Sequence, residues 1–181
     1  MELSDRTRKI CIWSILSILS AALSILERPL LSAIPLPLPG FKLGFANICV
    51  LFCLYRMGRA DSAVVLGLRI LLTGLLFGSP ISFTLSLAGG LFALSGAFGA
   101  YRSKKLSPVG VSVVSSALHV TGQITAASLI LRTPGLFTSY LPWLLLLSVP
   151  TGILNGVLAR VLINQIPSRI TQNSTTKRKH Q

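Results

Sequence analysis

The chain has 181 residues, of which 51% are hydrophobic, and a formal net charge of +13 with only four acids, Glu2, Asp5, Glu27 and Asp61. Charged residues make up 12% of the sequence, against about a quarter in a soluble domain, and the apolar residues come in long blocks. This excludes a water-soluble globule and points to an integral membrane protein. Nucleic-acid binding is not indicated by the basic excess, because Lys and Arg fall in the gaps between apolar blocks and no basic helix or RNA-binding aromatic pattern occurs.

Six apolar blocks predict six transmembrane helices. The first runs from Ile10 to Leu26, the second from about Leu43 to Tyr55, and the third from Ser62 to Phe77. The fourth covers Ile81 to Tyr101, the fifth Val109 to Leu131, and the sixth Leu141 to Ile163. The second and third are short for a span of roughly 20 residues. The first, with its basic start, also has the outline of a signal peptide, but "SILERPLL" is a poor cleavage site. Residues 1–9 read as a cytoplasmic N-terminus, 10–166 as the six-helix domain, and 167–181 as a disordered basic cytoplasmic tail.

The basic residues set an orientation. With both termini on one side, that side receives Arg6, Arg8, Lys9, Arg56 and Arg59, then Arg102, Lys104 and Lys105. It also takes Arg160, Arg169, Lys177, Arg178 and Lys179, whereas the other side receives Arg28, Lys42 and Arg132. Such a bias predicts that both ends are cytoplasmic, which requires an even number of spans. The fold class expected is therefore an all-α integral membrane bundle.

Helices in lipid approach one another through small residues. The fourth block is rich in them, including Gly89, Gly90 and Ala93, and Gly152 and Gly156 form a GxxxG pair in the sixth. The first block offers Ser17, Ala21 and Ser24. Two readings follow: these stripes pack the bundle together, or one of them docks a partner membrane subunit. Cys11, Cys49 and Cys53 lie inside apolar blocks without His or acidic companions, and read as packing residues.

Polar side chains at membrane depth are costly and point to function. Arg69 and Thr73 lie in the third block, His119 and Gln123 in the fifth, Asn47 in the second and Asn155 in the sixth. Lys42 stands at the rim of the second block in "PGFKLGFAN". In the assigned orientation these groups face one cavity open to the outside, where Gly40 and Gly44 let the backbone bend close to a ligand. The outer and embedded groups are mostly cationic, with Glu27 the only outer acid, and Arg suits phosphate or carboxylate. An anionic or amphipathic ligand is expected. The plainer alternative has Arg69 snorkelling and His119 bonded across helices.

Catalysis is not expected. No paired carboxylates, nucleophile with His and acid, or GxxxxGK[ST] loop is present. No cofactor or metal is expected either, so energy from ATP would require another subunit.

The segments "IPLPLPGFKLGFANICVLFCLY", "GLRILLTGLLFG", "SSALHVTGQITAA" and "SVPTGILNGVLA" resemble the bacterial membrane proteins described as Gx transporters or heptaprenyl diphosphate synthase component I. The resemblance covers roughly residues 10–166. It departs at His119-Val120-Thr121-Gly122-Gln123, where the family pattern is His-Asn-x-Gly-Gln. That family is similar to the substrate-binding S components of energy-coupling factor (ECF) transporters. The resemblance implies a bacterial inner-membrane protein that captures a vitamin-like, phosphate-bearing or isoprenoid molecule, with a coupling protein and ATPases as partners. It also implies docking through Ser17, Ala21 and Ser24. The synthase description implies an alternative, a non-catalytic membrane accessory of polyprenyl diphosphate or menaquinone synthesis. A catalytic prenyl synthase needs Asp-rich segments to hold magnesium and diphosphate, and the chain has two aspartates, Asp5 and Asp61.

Overall fold

A computed structural model of the chain describes residues 5–32, 44–77 and 79–166. All six apolar blocks fold as helices: α1 (Asp5–Ser32), α2 (Ala46–Arg56), α3 (Arg59–Phe77), α4 (Pro80–Arg102), α5 (Pro108–Leu131) and α7 (Leu141–Gln165). A short α6 (Gly135–Ser139) is an addition to that expectation. No strand occurs among the described residues. Four of the helices are long and apolar enough to cross a membrane: α1 over Arg6–Glu27, and α4, α5 and α7. The expectation of six such spans is narrowed accordingly. At 11 residues α2 reaches only about 16 Å, and the 19 residues of α3 include Arg59, Asp61 and Arg69.

Local chemistry sets the helix ends. Ser79 and Ser107 accept hydrogen bonds from the backbone N–H groups of Ser82 and Gly110, capping α4 and α5, and each is followed by a proline at the first helical position. Arg132 closes α5 in a left-handed conformation, φ 50°. Pro150 lies inside α7. Beside it the Thr151 hydroxyl donates to the Leu147 and Ser148 carbonyls.

The centre of the bundle is α2. Eight of its residues are buried, Ala46 and Ile48 to Leu54, which explains a block apolar on every side. One face joins Ala97, Val111 and Ala159 of α4, α5 and α7. The other, through Val50 and Cys53, joins Val65, Leu66 and Ile70 of α3, with Trp13 and Leu16 of α1 packed against them. The third core, Val120, Ile124 and Leu144, holds α6 onto α5 and α7.

Small residues decide where the backbones touch. A Cβ on Gly156 would sit 2.6 Å from Val109 Cα, and one on Gly152 2.8 Å from Val113 Cα, so the GxxxG pair seats α7 on α5. At Gly122 a Cβ would meet the Ala88 carbonyl at 2.7 Å, so α5 lies equally close to α4. On the outside, large apolar side chains point away from the core: Ile15, Ile18 and Leu26 on α1, Leu75 on α3, Leu129 on α5, Leu146 on α7. A surface of this kind calls for lipid or another protein, and with four apolar spans it identifies a membrane protein.

At one end of the bundle, an ion pair and an arginine cap tie four helices together. Lys9 and the Trp13 indole N–H both reach Asp61, at 3.5 Å and 3.1 Å. Arg56 donates to the Ile163 and Ile166 carbonyls, tying the end of α2 to the end of α7. These contacts place the start of α1, the α2–α3 turn and the end of α7 side by side.

Candidate functional site

The opposite end, where α1 finishes and α2 begins, holds a cavity with a polar lining. Ser24 and Glu27 come to it from α1, and Gly44, Ala46 and Asn47 from the head of α2. Arg69, Thr73 and Gly74 come from α3, Ser82, Phe83 and Ser86 from α4, and His119 from α5. It encloses about 600 Å³ of atom-free space including its mouth, and its inner part admits only a few water-sized molecules.

Arg69 is the organising group. The residue is 6% exposed, and its guanidinium donates from Nη1 to Asn47 Oδ1 at 3.0 Å. Glu27, 3% exposed, lies close enough to attract it electrostatically. Burying a charge costs several kcal/mol unless it is paired and hydrogen-bonded, so Asn47 and Glu27 are what allow Arg69 to stay inside the bundle. The Glu27 carboxylate also accepts a hydrogen bond from the Phe45 N–H, which caps α2 from a different helix where no local side chain does so. Asn47 is thereby fixed at a set height beside Arg69. Thr73, one turn on, lines the cavity, its hydroxyl donating to the Arg69 and Ile70 carbonyls and keeping oxygen lone pairs free to accept.

Gly44 makes the sharp entry into α2. Its φ of +77° belongs to the left-handed region, and an added Cβ would stand 3.2 Å from Asn155 Nδ2 and 3.4 Å from Asn47 Nδ2. Asn155, 3% exposed, therefore backs the cavity from α7 without lining it. A comparable arrangement occurs on α4, where a Cβ on Gly89 would meet Gln123 Cγ at 2.6 Å and His119 Cε1 at 2.9 Å. Gly89 is the notch that accommodates His119 and Gln123.

Of the residues singled out in the sequence, Asn47, Arg69, Thr73 and His119 converge on the cavity. Gln123 packs with His119 against Gly89 and Asn155 packs against Gly44, neither of them in the lining, and Lys42 lies outside the described residues. The small residues weighed as partner contacts are placed as follows. Ser24 lines the cavity. Ser17 and Ala21 are buried in the bundle, with the Ser17 hydroxyl donating to the Val65 carbonyl. Gly89, Gly90 and Ala93 are covered by this chain's own α3 and α5. The face that α1 leaves exposed carries Ile15, Ile18, Leu19 and Leu26 instead. Ser82, Ser86 and Phe83 were not foreseen, because in an apolar helix short hydroxyl residues are indistinguishable from packing residues. Among the described residues no three His, Cys, Asp or Glu side chains gather to hold a metal ion.

A family model described as heptaprenyl diphosphate synthase component I matches residues 16–162. The chain belongs to this family. The match spans α1 from Leu16 through most of α7 and takes in every residue of the cavity. Neither the curated proteins nor the solved structures offer a match. The family's description makes it one component of a synthase. The cavity lining combines one guanidinium, one carboxylate, an imidazole and several neutral hydrogen-bonding groups.

Proposed function

We propose that the protein is a membrane-embedded binding subunit whose Arg69 cavity captures a small molecule bearing an anionic or strongly polar group and passes it inward with partner subunits. The observation that carries this reading is the buried Arg69, held by Asn47 and facing a cavity of hydroxyl and amide groups. A structural cation needs only its partners. Here Ser24, Ser82, Ser86 and His119 are added around a space, and most binding sites combine an apolar shell with a few convergent polar groups in this way. Because Glu27 offsets one positive charge, the ligand best suited is one with both acceptor and donor groups, or an amphiphile with only its polar end in the cavity. In this reading the basic end is cytoplasmic, both termini included, the cavity faces outward across a bacterial inner membrane, and α1 meets an ECF-type coupling protein through its exposed apolar face.

The family match favours a second reading. A component I protein would be a non-catalytic accessory that holds an isoprenoid phosphate for a partner synthase. Affinity purification from mild detergent separates the two. Uptake predicts recovery of a coupling protein and ATPases, whereas the accessory role predicts recovery of a prenyl synthase. Recovery of neither, from cells that express all of them, would sink both.

A further inference from the structure

A second cavity lies at the basic end, unconnected with the Arg69 site. Its walls are Tyr55 at the end of α2, Arg59 at the start of α3, Tyr101 and Arg102 at the end of α4, and Lys104 and Leu106 in the turn before α5. It encloses about 810 Å³ of atom-free space including its mouth. We propose that this basin is a binding site for a phosphate ester or diphosphate presented at the membrane surface.

The charge balance is the first support. The lining holds three cations and no acid. The nearest acid in sequence, Asp61, is turned into the bundle and engaged by Lys9 and Trp13. No ion pair or side-chain hydrogen bond holds Arg59, Arg102 or Lys104 among the described residues, and all three are exposed. Guanidinium groups offer paired N–H donors that match phosphate oxygens, and the start of α3 adds the positive end of a helix.

Shape is the second support. Tyr55 and Tyr101 pack edge to face, with ring centroids 4.9 Å apart, and form a rigid floor. Lys104 is held with φ 55°, a left-handed conformation costing roughly 1–2 kcal/mol for a residue with a Cβ, and its backbone N–H is bonded to the Tyr101 carbonyl. The turn therefore presents Lys104 beside Arg102 at a backbone cost. Tyrosines at the headgroup level and Leu106 at the rim, 44% exposed, suit a ligand whose tail continues into lipid. Basic pockets between membrane helices on the cytoplasmic side are known to take phosphate headgroups.

The full-length protein in phosphatidylcholine nanodiscs tests this in two arms, both read by native mass spectrometry. In one the discs are doped with phosphatidic acid, and in the other inorganic pyrophosphate is added to undoped discs. The variants are Arg59→Gln with Arg102→Gln, Lys104→Gln alone, and Arg160→Gln, which removes an exposed cation at the same end but outside the cavity. Retention of phosphatidic acid that falls about tenfold in the double variant, falls less in Lys104→Gln, and is unchanged in Arg160→Gln supports a lipid headgroup site. The same pattern with pyrophosphate supports the site with a free anion as its source. Binding in neither arm, or equal losses in Arg160→Gln and the double variant, overturns the proposal. The changed side chains are exposed, and unchanged melting of each variant confirms that folding is not what is read.

Discussion

Replacing Gly156 with alanine places a carbon 2.6 Å from Val109 Cα and 2.9 Å from Ser112 Cβ. Neither is the far end of a flexible side chain, so the α5 and α7 backbones must move apart along the face where they meet. Overpacking of a tight contact costs about 1–3 kcal/mol, and a backbone-to-backbone clash belongs in the upper half of that range. Alanine's better helix propensity returns up to about 1 kcal/mol. The net expectation is a loss of about 1–2 kcal/mol, a 5- to 30-fold drop in the folded-to-unfolded ratio. The same change at Gly99, where an added Cβ meets nothing within 4 Å, keeps the propensity gain and avoids the clash. Titration of mixed micelles with SDS, followed by circular dichroism, measures both. If Gly156→Ala proves as stable as the wild type, or no less stable than Gly99→Ala, the α5–α7 packing described above is wrong.

Other consequences are open to simpler assays. Glu27→Gln weakens the charge-assisted cap on Phe45 and removes the charge facing Arg69; a loss of about 1.5–3 kcal/mol is expected, seen as faster amide exchange at Phe45 to Asn47, and unchanged exchange there would refute the cap. Asp61→Ala deprives the Trp13 indole of its acceptor and should shift its fluorescence, with a stability change under about 1 kcal/mol from the part-exposed Lys9 pair. Arg56→Gln should fray the end of α7, because the Ile163 and Ile166 carbonyls lose their guanidinium donor; exchange limited to the last turn of α7 is the expected pattern. For the orientation, a cysteine at Ser103 should resist an impermeant maleimide in intact cells, and one at Thr133 should react. The reverse pattern would turn the molecule over.

The helices could be read in the sequence because lipid-facing and buried positions are both apolar, which leaves uninterrupted blocks. The starts of α4 and α5 fall one residue before the expected Ile81 and Val109, because Ser79-Pro80 and Ser107-Pro108 each supply a cap and a first-turn proline there. The start of α1 before Ile10 and its continuation past Glu27 could not be read, because hydropathy falls there while the helix continues. Nor could α6, whose five residues lack any periodicity. In the site, Asn47, Arg69, Thr73 and His119 stood out as polar residues in apolar surroundings. Which small residues belonged with them depends on helix rotation, and that is fixed by neighbours distant in sequence. Ser24 thus faces the cavity, while Ser17, on the same helix, is bonded to the α3 backbone.

Native mass spectrometry of protein released gently from its own membranes tests most directly whether the Arg69 cavity holds a small molecule. The wild type should carry a species of defined mass. Arg69→Gln should lose it, and Thr73→Val, which removes no buried charge, should hold it more weakly. Wild-type protein that emerges bare and then binds none of a panel of flavins, vitamins and prenyl diphosphates would contradict the binding-subunit reading. So would an adduct retained equally by both variants.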